Sequence, residues 1–236
     1  VRALTAIVPF WNGHDTIGRL LRSLPADLPV IIVDDHSDRS LDLEALDWKG
    51  DGRMVEVIRP RDKGWFSGAV NAGMDACDTD VLVLNQDVWF RGHGWLEAPE
   101  GLRDRYGLIG DGVMNHPAWP LGYVQGTLMY VARAVIDAVG PLNARDYPLW
   151  GATCEYQLRA CRRAFRVHPT RDFRRWMRHE PRPKGSNFGA AITEAIKRDP
   201  GSRGLFIRTP PAVSVVVPCY NYARYLRDCI NSLIGG

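Results

Sequence analysis

The run DVLVLNQDVWF (80–90) carries four apolar residues, Val81 to Leu84, and then breaks on Asn85, Gln86 and Asp87. A carboxylate two positions from an amide oxygen is an oxygen donor set. It suits a hard divalent cation, Mg2+ or Mn2+, which keeps positions open for phosphate oxygens. The same triplet is also an ordinary turn former, since Asn and Asp both favour turns. Two other apolar runs end in polar groups. Pro9 to Asn12 close the stretch ALTAIVPFWN, and Asp34 and Asp35 close PVIIVDD. Between them and Asp87 lies DKGWFSGAVNAG (62–73), whose Gly64 and Gly68 let backbone approach a ligand closely. Further on, Arg159 to Lys184 holds ten Arg or Lys against only Asp172 and Glu180. Such a run is often a solvated helix face. Here Trp176 and His179 interrupt it, which favours an anionic partner: a phosphate group, a membrane surface or nucleic acid.

The elements that position these groups follow from the apolar spacing. ALTAIVPF (3–10), PVIIVDD (29–35), MVEVIRP (54–60) and the segment 80–87 read as strands. Ile17, Leu20, Leu21 and Leu24 recur at helical spacing, with Asp15 as the expected N-cap. SGAVNAGMDAC (67–77) reads as a small-residue helix able to pack tightly on a sheet. Strand and helix in alternation, with continuous rather than alternating apolar strands, predict an α/β fold. Its open, mostly parallel sheet carries helices on both faces. In such sheets ligands bind at the carboxyl ends of the strands, where the three polar endings fall. Later, 123–140 reads as a strand running into a helix that stops at Gly140, 154–164 as a helix, and 165–168 as a strand.

The totals exclude several classes. At 236 residues, 45% hydrophobic and 24% charged, the chain suits one large domain or a domain plus a fragment. No run of 18 apolar residues predicts a membrane span. Val1 leads directly into a strand-like segment, so no signal peptide is expected. Five scattered cysteines without a CxxC pair support neither a zinc site nor a disulfide framework, and a reducing cytoplasm is the simplest compartment. No GxGxxG follows the first strand and no GxxxxGK[ST] occurs, which disfavours a dinucleotide-binding enzyme and a P-loop.

The tail repeats the opening. VSVVVPCYNYARYLRDCINSL (213–233) matches the start at an offset of 209: Val8-Pro9 with Val217-Pro218, Asn12 with Asn221, Ser23-Leu24 with Ser232-Leu233. A strand and one helix cannot bury a core alone. The expected organisation is a domain over 3–190, a Pro- and Gly-rich linker over 191–211, and the truncated opening of a second copy over 212–236.

Together these pieces resemble a family 2 glycosyltransferase with the GT-A fold, in its rhamnosyltransferase-like branch. AIVPFWN resembles that family's opening strand and P-x-[YW]-N turn, and IIVDDHSDRS its VVDDxSxD element. RPRDKGWFSGAVNAGM resembles NxGFxxGxNxGi, VLVLNQDVWF the LLNPDV form of the D-x-D metal motif, and GTLMYVARAVIDAVGPLNARDY the acceptor-side segment. The resemblance implies that Asp35 bonds the nucleobase and that backbone near Pro9 lines the base pocket. On the same nucleotide-sugar side it sets Asn12, Asp34, Lys63, Gly64, Asn71, Asn85 and Gln86. Asp87 is implied to bind Mn2+ or Mg2+, and His179, which resembles the family's late histidine, to contact the metal or the diphosphate. Arg178 and Lys184 are expected at the diphosphate, and Trp150 and Gly151 at the acceptor.

One departure matters. The family carries an E-D-x-D run ahead of L-x-x-R, and the Asp of the Glu-Asp pair is the general base. Alignment on Leu158-Arg159 puts Ala152 and Thr153 there, and Glu155 on the later acidic position. Glu155 is therefore the candidate base, against the plainer reading that it favours the helix dipole. The implied activity is an inverting, metal-dependent transfer of a sugar from a UDP, dTDP or GDP donor to a glycan or lipid-linked acceptor in surface polysaccharide synthesis. The implied location is the cytoplasm, with peripheral contact at the inner face of the membrane. The rival is a non-catalytic sugar-nucleotide or glycan-binding domain, favoured by the missing Glu-Asp pair. A nucleotidyltransferase would need a Gly-rich, Arg-bearing loop where FWNGHD stands. No nucleic-acid partner is expected, since that reading rests on the basic run alone.

Overall fold

The computed structural model describes residues 3–46, 52–92, 94–114, 122–149 and 151–180. Trp150, Lys184, the linker and the repeated tail lie outside the described residues. In chain order the elements are β1 (Leu4–Phe10), α1 (His14–Ser23), β2 (Val30–Asp34), β3 (Val55–Ile58), α2 (Trp65–Asp75), β4 (Asp80–Leu84), β5 (Val88–Phe90) and a short α3 (Glu97–Glu100). There follow β6 (Leu108–Val113), β7 (Tyr123–Val131), α4 (Arg133–Val139), α5 (Ala152–Arg162), β8 (Val167–Thr170), a 3-10 turn (Asp172–Arg175) and β9 (Met177–His179).

Seven strands form one sheet in the order β3-β2-β1-β4-β7-β6-β8. The first four are mutually parallel. β7 runs antiparallel to both β4 and β6, and β8 returns parallel to β6. Every residue of β2 and β4 is buried, as expected of strands covered on both faces. The chain steps one way from β1 to β2 and the other way from β3 to β4. With right-handed crossovers this reversal sets α1 and α2 on opposite faces and leaves a crevice between the carboxyl ends of β1 and β4.

The helices are built for that placement. α1 buries Ile17, Leu20 and Leu21 on one stripe. It starts at His14, not at an Asp15 cap: the Gly13 carbonyl accepts the Thr16 and Ile17 amides, and Asp15 sits inside the first turn, where it favours the dipole. α2 packs on β1 through Gly73, whose Cα faces the Ile7 side chain so closely that a methyl group would overlap it. β4 is shorter than the expected 80–87 strand. It ends at Leu84, and Asn85 to Asp87 turn the chain into β5, which leaves the main sheet and pairs antiparallel with β9 in a two-stranded sheet.

Candidate functional site

A cleft of about 210 Å3 opens at the crevice between β1 and β4. It is lined by Pro9, Phe10 and Trp11, by the turn Asn85–Gln86–Asp87 and by Asp35. Trp65, Phe66 and Ala69 of α2 and Leu149 complete the lining, and the Trp11 and Trp65 rings meet edge to face at 6.2 Å.

Asp87 and His179 meet in this region, 92 positions apart in sequence. Val88 pairs with His179 in the β5–β9 ladder, and the Glu180 amide donates to the Asp87 carbonyl at 2.9 Å. The His179 Nε2 stands 3.2 Å from Asp87 Oδ1. That oxygen is buried and accepts no hydrogen bond. An orphaned carboxylate oxygen facing an imidazole nitrogen is a fitting pair of ligands for one small divalent ion. Among the described residues no group of three or more candidate ligands occurs, so two protein ligands would leave most positions to diphosphate oxygens.

At the other end Asp35 is 4% exposed. Its Oδ1 accepts the Gly64 amide at 2.6 Å, and its carbonyl accepts the Lys63 ammonium at 2.8 Å. Lys63 also lies 3.5 Å from Asp35 Oδ2. The ammonium is held over two indoles, 4.4 Å from the Trp11 ring centre and 4.7 Å from that of Trp65. Asp35 and Lys63 thus offer an acceptor and a donor side by side under an aromatic wall, a combination that suits a flat heterocycle.

Other predicted nucleotide-side residues hold the scaffold and turn their polar groups elsewhere. Asp34 is 1% exposed and accepts from the Ser37 and Leu41 amides and from Arg59. Burial by itself would push this carboxyl up; the Ser37 and Leu41 bonds and the Arg59 charge outweigh it and hold the group below its ordinary 3.8. Asn12, at φ 51, donates its side-chain amide to the Asp38 carboxylate, accepts the Asp38 backbone amide and donates its own backbone amide to Ser37 Oγ, so it locks the turn after β1 to the turn after β2. Gln86 clasps the Trp11 backbone from both sides, accepting its amide at 2.8 Å and donating to its carbonyl at 3.0 Å. Asn71 does the same for Leu142, at 2.7 and 2.9 Å.

The candidate base is turned away. Both Glu155 oxygens are taken by Arg159 one helical turn on, at 2.6 and 2.9 Å. Arg159 also donates to the Val139 and Pro141 carbonyls, so the pair fastens α5 to the end of α4. Glu155 is not among the residues lining the cleft. Gly151, at φ 81, starts α5 and lends its carbonyl to the Glu155 amide.

The basic run is divided by β8. Since β8 runs parallel to β6, and β6 runs in the direction of β4, Arg171 to Arg178 fall at the cleft end and Arg162, Arg163 and Arg166 at the opposite end. At the cleft end Arg174 is bonded to Asp111, and Arg178 donates to the Arg174, Arg175 and Met177 carbonyls.

The sequence reading passed over the apolar rim. Trp11 is 49% exposed, Trp65 40% and Leu149 41%, and all three line the cleft. Trp65 is held at φ 56, an outlying backbone conformation for a bulky residue. The available signal was the place of Trp11 and Trp65 beside the motif residues Asn12 and Gly64. Nothing in the sequence marked Leu149.

Residues 5–110 match the model of the family described as Glycosyl transferase family 2. Over 99 residues the chain is 39% identical to the pre-mycofactocin glycosyltransferase of Mycobacterium tuberculosis, a match that takes in 41% of this chain and 20% of that protein. The chain thus spans about a fifth of the length of the curated relatives it matches. Among solved structures it resembles the mannosyltransferase PcManGT of Pyrobaculum calidifontis with GDP-Man and Mn2+, at a TM-score of 0.61 and 16% identity over 82% of this chain and 61% of that one. It also resembles S. aureus TarS with UDP, at 0.52 and 16% over 72% and 58%, and GalNAc-T7 with UDP, GalNAc and Mn2+, at 0.56 and 15% over 71% and 42%. At these identities the likeness is one of fold, and the fold is that of GT-A glycosyltransferases.

Proposed function

We propose that this chain is the donor-binding and transfer domain of a family 2 glycosyltransferase. It takes a nucleoside-diphosphate sugar, with UDP, dTDP or GDP as the leaving group, and passes the sugar to a hydroxyl of a glycan or lipid-linked acceptor in surface polysaccharide synthesis. The observation that carries the reading is that Asp35 and Asp87 line one cleft at the topological switch point, with Lys63 bonded to Asp35 and His179 3.2 Å from Asp87. The base sits at Asp35 and Lys63 against Trp11, and the diphosphate extends toward Asp87. Asp87 and His179 would hold a Mg2+ or Mn2+ ion, which would supply positive charge to offset that of the departing diphosphate. In a single displacement the acceptor oxygen attacks the anomeric carbon, the bond to the diphosphate oxygen breaks with its electron pair, and the configuration inverts. The hydroxyl proton goes to a general base. Work at a cytoplasmic membrane face fits an acceptor of the lipid-linked kind.

A second reading has its own observation. Ala152 and Thr153 replace the expected acids, and Glu155 is bound by Arg159. A chain that binds the donor and lacks a base would be a sugar-nucleotide-binding module. Thermal shift with UDP, GDP, dTDP and CMP, each with and without Mn2+, tests donor binding, since a ligand of the native state raises the melting temperature by mass action. Stabilisation by one diphosphate that EDTA removes supports both readings, and no response to any nucleotide overturns both. Donor turnover in the presence of saccharide or lipid-linked acceptors then separates the transferase from the binding module.

A further inference from the structure

The β5–β9 sheet has three paired positions, and a two-stranded sheet of that size is marginal unless something else holds it. From below it is held by the core: Phe90 stacks on the fully buried Trp95 at 3.8 Å, and Met177 is 8% exposed. From the α1 side the Arg19 side chain reaches across both of its strands. The Arg19 guanidinium lies 3.8 Å over the Trp89 ring of β5 and forms an ion pair with Glu180, the residue after His179. Glu180 is the residue whose amide bonds the Asp87 carbonyl. Arg19 therefore spans both strands of the ladder that brings His179 to Asp87.

We propose that Arg19 is a positioning residue for the divalent-ion pair, acting through Trp89 and Glu180 to keep the His179 imidazole beside Asp87. The inference rests on the metal reading given above. The magnitudes separate it from a general stabilising role. The Arg19 and Glu180 side chains are 48% and 33% exposed, and ion pairs at such exposure contribute little to global stability. The position of one backbone segment, which β9 alone supplies, is where the loss would be felt. Among the described residues no hydrogen bond or ion pair joins Arg19 to Asp87 or His179, so its removal takes away no ligand.

The test is equilibrium Mn2+ binding to this chain, read from the loss of the free-ion electron paramagnetic resonance signal, with melting in EDTA as the control. Arg19→Ala is expected to weaken Mn2+ binding about tenfold, the scale on which partners behind metal ligands act. The EDTA melting temperature should hardly move. Glu180→Gln should reproduce the loss, Arg19→Lys should recover part of it, and the double variant Arg19→Ala/Glu180→Gln should lose no more than either single one. Wild-type Mn2+ affinity in both Arg19→Ala and Glu180→Gln overturns the positioning role and leaves the metal site standing. Absence of Mn2+ binding in the wild type overturns the metal site and the Arg19 role together. Should Arg19→Ala fail to fold, Arg19 is a residue of global stability, and the proposal is overturned.

Discussion

Asp87, just past β4, and Glu155, in the first turn of α5, are acids carried to the same end of the sheet, and their surroundings differ in kind. Asp87 keeps a buried oxygen with no donor and faces an imidazole. Glu155 has both oxygens filled by its own helix neighbour, which in turn bonds the end of α4. An unfilled buried oxygen costs stability and is open to a ligand, whereas a filled one contributes to stability. On the proposed reading, the donor side leaves a ligand-facing group open, whereas the carboxylate at the start of α5 is spent on packing α5 against the end of α4.

The largest effect that would sharpen this contrast is at Asp87. Asp87→Ala should abolish the Mn2+-dependent part of nucleotide stabilisation in thermal shift, and a variant that keeps the full Mn2+ response would break the comparison on the donor side. Next in size is Asp34→Asn, which removes an acceptor from three donors and should cost about 1–3 kcal/mol in urea unfolding at pH 7. Asp34 is held below its ordinary 3.8 in the folded state, so its contribution is complete above that value and is lost as pH falls through the folded one. The gap between wild type and Asp34→Asn should therefore narrow on titrating to pH ~3, close to the unfolded Asp value. A gap that widens in acid would contradict the assignment.

Glu155→Gln should cost about 1 kcal/mol through the weakened Arg159 bonds, with donor binding unchanged. If the same variant loses transfer by a hundredfold or more while still binding donor, Glu155 is the base and the contrast fails on the acceptor side. The smallest effect is expected at the far end of the sheet. Arg162→Gln with Arg166→Gln should leave nucleotide stabilisation where it was, because β8 sets both residues at the opposite end from the cleft. A lowered nucleotide response there would overturn the division of the basic run.

Much of the frame was readable from the chain. Continuous apolar runs such as VIIVD and DVLVL announce strands buried on both faces, and their alternation with helices announces a mostly parallel sheet. The strand order and the antiparallel β7 were not legible, because a strand's place and direction are set by where its neighbours lie. Asp34 and Asp35 show a sharper limit. Adjacent residues at a strand end point to opposite faces, so the sequence tells that their roles differ and not which one meets the cleft. The β5–β9 ladder escaped altogether. Its strands are three residues each and far apart, too short for a periodic signal, yet they bring Asp87 and His179 together. Asn71 and Gln86 belong to the motifs, but their amides pair with backbone groups of Leu142 and Trp11, which only the folded loops bring within reach.

Helix α2 presents Trp65 and Phe66 to the cleft and also grips the 142–149 loop. Ser67 donates to the Tyr147 carbonyl at 2.5 Å, its amide bonds the Pro148 carbonyl at 2.9 Å, and Asn71 holds Leu142. Leu149, at the end of that loop, is part of the same rim. The wall that Trp65 forms and the loop that leads into α5 are therefore joined through one helix. Were the donor and the acceptor of the proposed function to bind on the two sides of that joint, any factor by which one changes the affinity of the other would hold in both directions.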